Sequence, residues 1–344
     1  MEFAKSAQRI TVLFLALLLC GSGVLYGQER AGTSASPQLL VPLGSQYIDG
    51  SGAAAGISGI ESVLWNPAGL DKRDGDVMVM GTRREHLADV SVNFISLGVG
   101  FDDIGTFAVH IRNFDVGEIE ETTASNPGGT GSTFEPTFFT FGLSYGISMS
   151  DQIRVGITSN VTNESFADVS GTGVTFDAGV QYDRFLGFNG LNLGVSIRNI
   201  GSALTYSGSG LQVPARSTGA ERPSTQFETI AADAEIPTTV DLSLEYNVWR
   251  GLNVAATYSE NTFEPVEAKG QISYNFRDLL TVRGQWSQIL EDQGELESPY
   301  ENRPSFGGTL NLESAIGVPL SFDYAFVSTQ FFDNNHLLTL RGTF

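Results

Sequence analysis

The 344-residue chain is short of cysteine, of histidine and of positive charge. One cysteine rules out a disulfide framework, and three histidines leave little for a zinc site. Lys and Arg number 19 against 39 Asp and Glu, a formal net charge of −20. That balance argues against a nucleic-acid partner, because phosphate seeks a basic face. Charged residues make up 17% of the chain, below the ~25% of an average soluble domain. G-x-S-x-G, H-E-x-x-H and phosphate-loop signatures are missing, and His86, His110 and His336 are dispersed. The sequence therefore nominates no catalytic residue, metal site or cofactor. What it has in quantity is glycine, at 40 residues, and phenylalanine, at 23.

Residues 1–27 read as an address rather than as part of the fold. Lys5 and Arg9 give a positive start, and Ile10 to Leu19 is a ten-residue apolar run. Such a run is too short for the ~20 residues of a transmembrane helix but suits a secretory signal. Small residues follow, and cleavage is expected near Gly27, after Sec-type export. The alternative is lipoprotein processing at Cys20, although Leu19 stands where a small residue is usual. Residues 28–37 are expected to be a flexible N-terminus.

Beyond the signal, no apolar stretch approaches the length of a membrane helix; the pattern instead has period two. Val240, Leu242, Leu244, Tyr246 and Val248 alternate with Thr239, Asp241, Ser243, Glu245 and Asn247. Ile153, Val155, Ile157 and Val161 face away from Arg154, Thr158, Asn160 and Thr162. Such alternation marks strands with one apolar and one polar face. Fourteen strands are expected, at 77–84, 89–100, 105–117, 134–149, 152–166, 172–184, 190–200, 238–249, 251–260, 267–276, 279–290, 304–313, 317–329 and 334–344. Their lengths suit the ~9–11 residues of a tilted membrane strand and exceed the ~5–6 of soluble strands. Every second connection is tight, and the long ones, 118–133, 201–237 and 291–303, fall between them. A water-soluble sandwich has no reason to sort loops this way, whereas an outer-membrane barrel does. The fold class expected is all-β: a 14-stranded antiparallel transmembrane β-barrel over 77–344. Aromatics near the tight turns, among them Phe101, Tyr145, Trp249 and Phe276, suit an interfacial girdle.

Side chains alone fill an eight-stranded barrel, so fourteen strands leave a lumen to be closed by something else. Residues 38–76 are expected to be that plug. They are rich in small residues at 50–59, allow a short helix around Ala53 to Ile60, and then carry Val63, Leu64 and Trp65, which are costly to leave in water. Asn66-Pro67 begins a turn. Lumen-facing charges are expected at Arg154, Arg198, Asp241, Glu245, Arg283, Asp323 and Arg341, as an ion-pair network holding the plug, since buried charges require partners. At the far end, Leu338, Leu340 and Phe344 share a face with Gly342, a terminal aromatic on an amphipathic last strand.

The run Leu64-Trp65-Asn66-Pro67-Ala68-Gly69-Leu70 resembles the WNPAGL signature of the PorV/PorQ family. Leu191 to Gly201 is similar to that family's strand before a long loop, Ile236-Pro237 to its strand start, and Leu338 to Phe344 to its closing strand. The resemblance implies a FadL-like outer-membrane barrel, many relatives of which serve the type IX secretion system. It implies a plug motif at Trp65, Asn66, Pro67, Ala68 and Gly69, and a barrel-assembly signal at Leu340, Gly342 and Phe344 read by the barrel assembly machinery. The first function it implies is secretion: binding the C-terminal signal domains of cargo and shuttling them from the translocon to an attachment complex. Loop 201–237, with Leu211, Val213, Phe227 and Ile230, would supply the partner surface. The alternative, from the FadL branch, is passive uptake of hydrophobic small molecules through the lumen. Acidic stretches, Glu118 to Glu121 and 291–301, read either as soluble rims or as cation bridges to lipopolysaccharide, and match no calcium loop.

Overall fold

The computed structural model describes residues 34–87, 90–215, 225–290, 304–329 and 333–344. The expected signal peptide, residues 28–33, the acidic 291–301 run and the centre of loop 201–237 lie outside the described residues. Fourteen long strands form the wall: β1 Val77–Glu85, β2 Ser91–Phe101, β3 Gly105–Asp115, β4 Thr137–Ser148, β5 Ile153–Phe166, β6 Val169–Tyr182 and β7 Leu191–Gly201, then β8 Thr239–Trp249, β9 Leu252–Asn261, β10 Glu267–Phe276, β11 Leu280–Ile289, β12 Pro304–Asn311, β13 Leu320–Val327 and β14 Asn335–Thr343. Each pairs antiparallel with its sequence neighbours, β7 with β8 across the long loop included. The ring closes where β1 pairs with β14 in the register Met78↔Thr343. Closure leaves no edge strand with unpaired backbone groups, which is the only β solution that hydrocarbon tolerates.

Side-chain parity follows the alternation. Ile95, Leu143, Ile157, Phe176, Ile272 and Phe306 are among the exposed residues, whereas Thr158, Thr162, Ser144, Gln181, Ser243 and Asp323 are buried. The wall is thus apolar outside and polar inside, the inverse of a water-soluble protein. Among the described residues no helix is long and apolar enough to cross a membrane.

Local chemistry shifts some strand ends from their expected positions. The expected 172–184 strand begins at Val169, because Ala167-Asp168 makes a two-residue hairpin with Ala167 in the left-handed region, φ 49°. The expected 134–149 strand begins at Thr137, and Thr133–Phe134 instead pairs with Ile119–Glu120 inside the loop. The β12–β13 connection is not a tight turn. Asn311 accepts hydrogen bonds from the backbone N–H groups of Glu313 and Ser314 and starts a short helix, Leu312–Ile316. The β5–β6 hairpin also shows that the loop rim carries tight turns beside its long loops.

Residues 34–76 run inside this wall from the loop rim to the turn rim. The Ala35 N–H donates to Glu235 O at one end, and the N–H groups of Asp76 and Val77 donate to Phe344 O at the other. Between them lie the short turns Pro37–Leu40, Ile48–Gly50, Ala53–Gly56, Gly59–Leu64 and Pro67–Asp71. The segment builds most of the apolar interior. Leu43, Ile60, Val63 and Leu70 pack with Met78, Met80, Val92, Phe94 and Ala108 of β1–β3. Ile48 packs with Ala325, Val327 and Leu337. At ~1.5–3 kcal/mol per large apolar side chain removed from water, these contacts hold the segment in place.

Candidate functional site

The 64–70 run sits against the β4–β7 wall. Asn66 accepts from the Ala68 N–H at 3.0 Å, and its Nδ2 donates to Ala54 O at 2.7 Å, to Val180 O at 3.2 Å and to Val195 O at 3.4 Å. One carboxamide therefore caps its own turn and ties it to both β6 and β7. Pro67 stands first in the turn Pro67–Asp71, where its missing N–H is not needed. The wall is pared to glycine where this turn approaches: a Cβ at Gly156 would overlap the Pro67 backbone, at Gly179 the Asn66 side chain, and at Gly194 the Ala54 carbonyl. Trp65 is buried under the Arg198 guanidinium, which lies 5.0 Å from its ring centre.

The seven charged residues expected in the lumen all carry inward parity, but they form four separate groups rather than one network. The largest joins three strands to the inner segment. Arg341 Nε and Nη2 donate to Asp323 at 3.0 and 2.9 Å, Arg283 Nη1 lies 3.8 Å from Asp323 Oδ1, and Arg341 Nε lies 3.7 Å from Glu61 Oε2. Arg283 also donates to Ser45 O at 2.7 Å and to Thr309 Oγ1 at 2.6 Å. In the second group Arg198 donates to Asp241 at 2.7 Å, and Asp241 accepts from Ser259 at 2.6 Å. In the third, Tyr47 OH donates to Glu245 Oε1 at 2.9 Å. In the fourth, Arg154 grips Asp183 through two hydrogen bonds of 2.8 and 2.7 Å, with Lys72 at 3.8 Å. Burial works to raise the Asp183 carboxyl, yet the Arg154 hydrogen bonds and Lys72 hold it below the usual carboxylate range.

Several inward charges escaped the sequence reading, Asp49, Asp177 and Lys269 among them, and four more tie the inner segment to the wall. Glu61, the lone acid of the small-residue stretch, is fully buried in the first group. Arg84 donates to Pro42 O at 2.7 Å and lies 3.7 Å from Asp49. Arg112 donates to the carbonyls of Gln38, Leu39 and Val41, and no ion pair reaches it among the described residues. Glu164 accepts from Ser36 Oγ at 2.5 Å, Gln38 Nε2 at 2.7 Å and Tyr206 OH at 2.5 Å. The signal that could have found them is parity: Arg84 continues Met78, Met80 and Thr82, and Arg112 continues Ala108 and His110 on their inward faces.

A cavity of ≈ 50 Å³ lies beside these groups. Its apolar side is Leu40, Val41, Leu43, Val63, Leu64 and Phe94, and its polar side is Trp65, His110, Arg112, Asn160, Asp177 and Arg198. The Trp65 Nε1, Arg112 Nε and Arg198 Nε atoms are buried with no hydrogen-bond partner among the described residues. The wall is also irregular here. Phe176 pairs with Ile200 but Ala178 with Ile197, so Arg198 and Asn199 together oppose Asp177. Asn199 takes φ 60°, and Asp177 accepts from its N–H at 2.7 Å and from Asn160 Nδ2 at 2.9 Å. Toward the loop rim, Phe114, Phe138, Phe166 and Tyr206 succeed one another at centroid distances of 5.7, 5.1 and 6.3 Å, an arc of aromatic rings at the mouth. The cavity offers an apolar wall faced by convergent N–H donors. Among the described residues no group of three or more His, Cys, Asp or Glu is placed to hold a metal ion.

Of the expected partner-loop residues, Ile230 is exposed and Leu211 half-buried. The backbones of Val213 and Phe227 pair across a two-stranded hairpin, Gln212–Ala215 with Thr225–Glu228. Leu340 and Phe344 are exposed on the outer face with Gly342 between them.

No family model matches the chain, and no curated protein matches it. Solved structures do. A CymD monoaromatic hydrocarbon channel aligns with a TM-score of 0.56 at 12% identity, over 89% of this chain and 98% of that one. The Pseudomonas putida toluene transporter TodX aligns at 0.54 and 12% identity, over 94% and 100%. A Pseudomonas aeruginosa FadL homologue aligns at 0.51 and 11% identity, over 92% and 98%. These likenesses show the fold: a closed, FadL-like barrel of fourteen antiparallel strands.

Proposed function

We propose that this protein is an outer-membrane channel for hydrophobic small molecules, with residues 38–76 as its plug. The carrying observation is the cavity walled by Leu40, Val41, Leu43, Val63, Leu64 and Phe94 and faced by the unpaired N–H groups of Trp65, Arg112 and Arg198. At ≈ 50 Å³ the cavity is smaller than an aromatic ligand, so the plug must shift to admit an apolar body bearing a hydrogen-bond acceptor, whose place this lining marks. The aromatic arc above it would receive the apolar body first. Two of these fold neighbours, CymD and TodX, are named for hydrocarbon or toluene passage, which supports this reading over secretion. The apolar outer face favours a bilayer location, with lipid and lipopolysaccharide around it and the barrel assembly machinery reading the Leu340–Phe344 end.

The test uses Trp65 as reporter, with Trp249 and Trp286 replaced by Phe. Toluene and benzoate are titrated into the purified protein in detergent. Benzoate should change Trp65 emission saturably, and Arg112→Met should weaken it about ten- to a hundredfold, the worth of a charge-assisted hydrogen bond. An emission that neither probe alters sinks the reading.

The secretion reading keeps one structural support. The Gln212–Ala215/Thr225–Glu228 hairpin stands apart from the barrel as a two-stranded sheet, whose open edges could add a strand of a cargo β-domain. Cargo with a C-terminal signal domain that is still captured after deletion of 212–228 would argue against it.

A further inference from the structure

The inner segment meets the two sides of the lumen differently. Toward β4–β7 it lies flush against glycines; toward β10–β14 it meets polar side chains. There a second cavity of ≈ 350 Å³ opens at the turn rim. Its lining includes Asp74, Asp278, Thr281, Thr309, Glu313 and Arg341, and Gln46 forms its inner end. The wall above this floor stays polar: Gln271, Arg283, Gln285, Ser305, Asp323 and Thr339 are all buried. The side-chain oxygens of Gln271 and Gln285 have no donor among the described residues. Buried acceptors in a polar recess are hydration sites.

Among the described residues, 45–49 run along this wall above the recess. Ser45 Oγ meets Thr339 Oγ1 at 2.8 Å, Gln271 reaches Gln46 O at 3.3 Å, and Lys269 reaches Asp49 O at 3.2 Å. Ile48, fully buried, seats among Ala325, Val327 and Leu337. That cluster pins the 45–49 pass to an otherwise hydrophilic wall.

We propose that the β10–β14 side of the lumen is a water-filled passage for small hydrated cations, closed by the 45–49 pass that Ile48 pins in place. Cations are the favoured sign because Asp74, Asp278 and Glu313 outnumber Arg341 at the vestibule. This passage is separate from the Trp65 cavity and does not depend on that cavity binding anything.

The experiment is conductance of the full-length mature protein in planar bilayers under a KCl gradient. The wild type should be largely closed. Ile48→Asp should raise the open conductance at least fivefold, with a reversal potential on the cation side, and the double change Asp278→Asn with Glu313→Gln should move that potential toward zero. A lock supplies the control: Ser45→Cys with Thr339→Cys, added to Ile48→Asp, should abolish the current when oxidised and restore it when reduced. Fold is checked by heat-dependent gel migration, and Ile48→Ala replaces Ile48→Asp if the latter does not fold. A folded Ile48 variant no more conductive than wild type, or a current indifferent to the oxidised lock, overturns the proposal.

Discussion

The carboxamide of Asn66 occupies the space that a side chain at position 179 would need. A residue of the inner segment and a residue of β6, far apart in sequence, are therefore fitted to one another to within a methyl group. Gly179→Ala should push the 66–69 turn off the wall at a cost of about 1–3 kcal/mol, the range for overpacking a filled interior. Its thermal midpoint in detergent should fall and Trp65 emission shift to the red. Gly81→Ala, where a new Cβ meets nothing within 4 Å, should change neither.

Asp183 yields a pH prediction. Its carboxyl is held below the usual carboxylate range, so the pairing with Arg154 and Lys72 contributes stability that is fully present above the unfolded-state value near ~4. That contribution is lost as pH falls through the lowered folded-state value. Asp183→Asn should lower the wild-type melting temperature at pH 7, by an amount equivalent to about 2 kcal/mol for a charged pair. The difference between the two proteins should shrink as both are melted at successively lower pH below 4. A constant gap across that series contradicts the assignment.

Glu164 holds together three parts of the chain: Ser36 and Gln38 of the inner segment, Tyr206 of the long loop, and its own strand β5. Around it Ala35 and Leu39 pack with Leu204 and Ile236. Glu164→Ala strands three donors at once. Amide hydrogen exchange should then speed up both at 34–40 and at 202–211, by roughly tenfold or more given about 1–3 kcal/mol per stranded group. Faster exchange in only one of the two segments would show that they are not joined through this carboxylate.

The barrel was largely legible in the sequence because a wall with lipid-type and lumen-type faces writes period two into every strand. Thr239 to Val248 shows it without interruption. The ends were less legible: Ala167 adopting φ 49° lets β6 begin at Val169, and no local pattern announces that. The inward charges could be recognised, yet their pairing could not. Arg341 meets Asp323 on the neighbouring strand and Glu61 far upstream, and alternation places each residue on a face without saying which partner stands opposite. Arg112 could be placed on the inward face by parity, but its partners, backbone carbonyls of the inner segment, could not be foreseen. Ranking secretion ahead of small-molecule passage rested on the Leu64–Leu70 resemblance and on the charged lumen; the apolar cavity beside Trp65 is a tertiary product that neither feature reveals.

The Phe344 carbonyl accepts from the N–H groups of Asp76 and Val77, immediately upstream of the β1–β14 seam. Phe344 thus shuts the cylinder at the very point where the internal segment leaves it. The bonds that hold the exit of 34–76 and those that close the β1–β14 seam therefore meet at one residue. Stowing the cargo and sealing the hull fall, for this molecule, to one and the same residue.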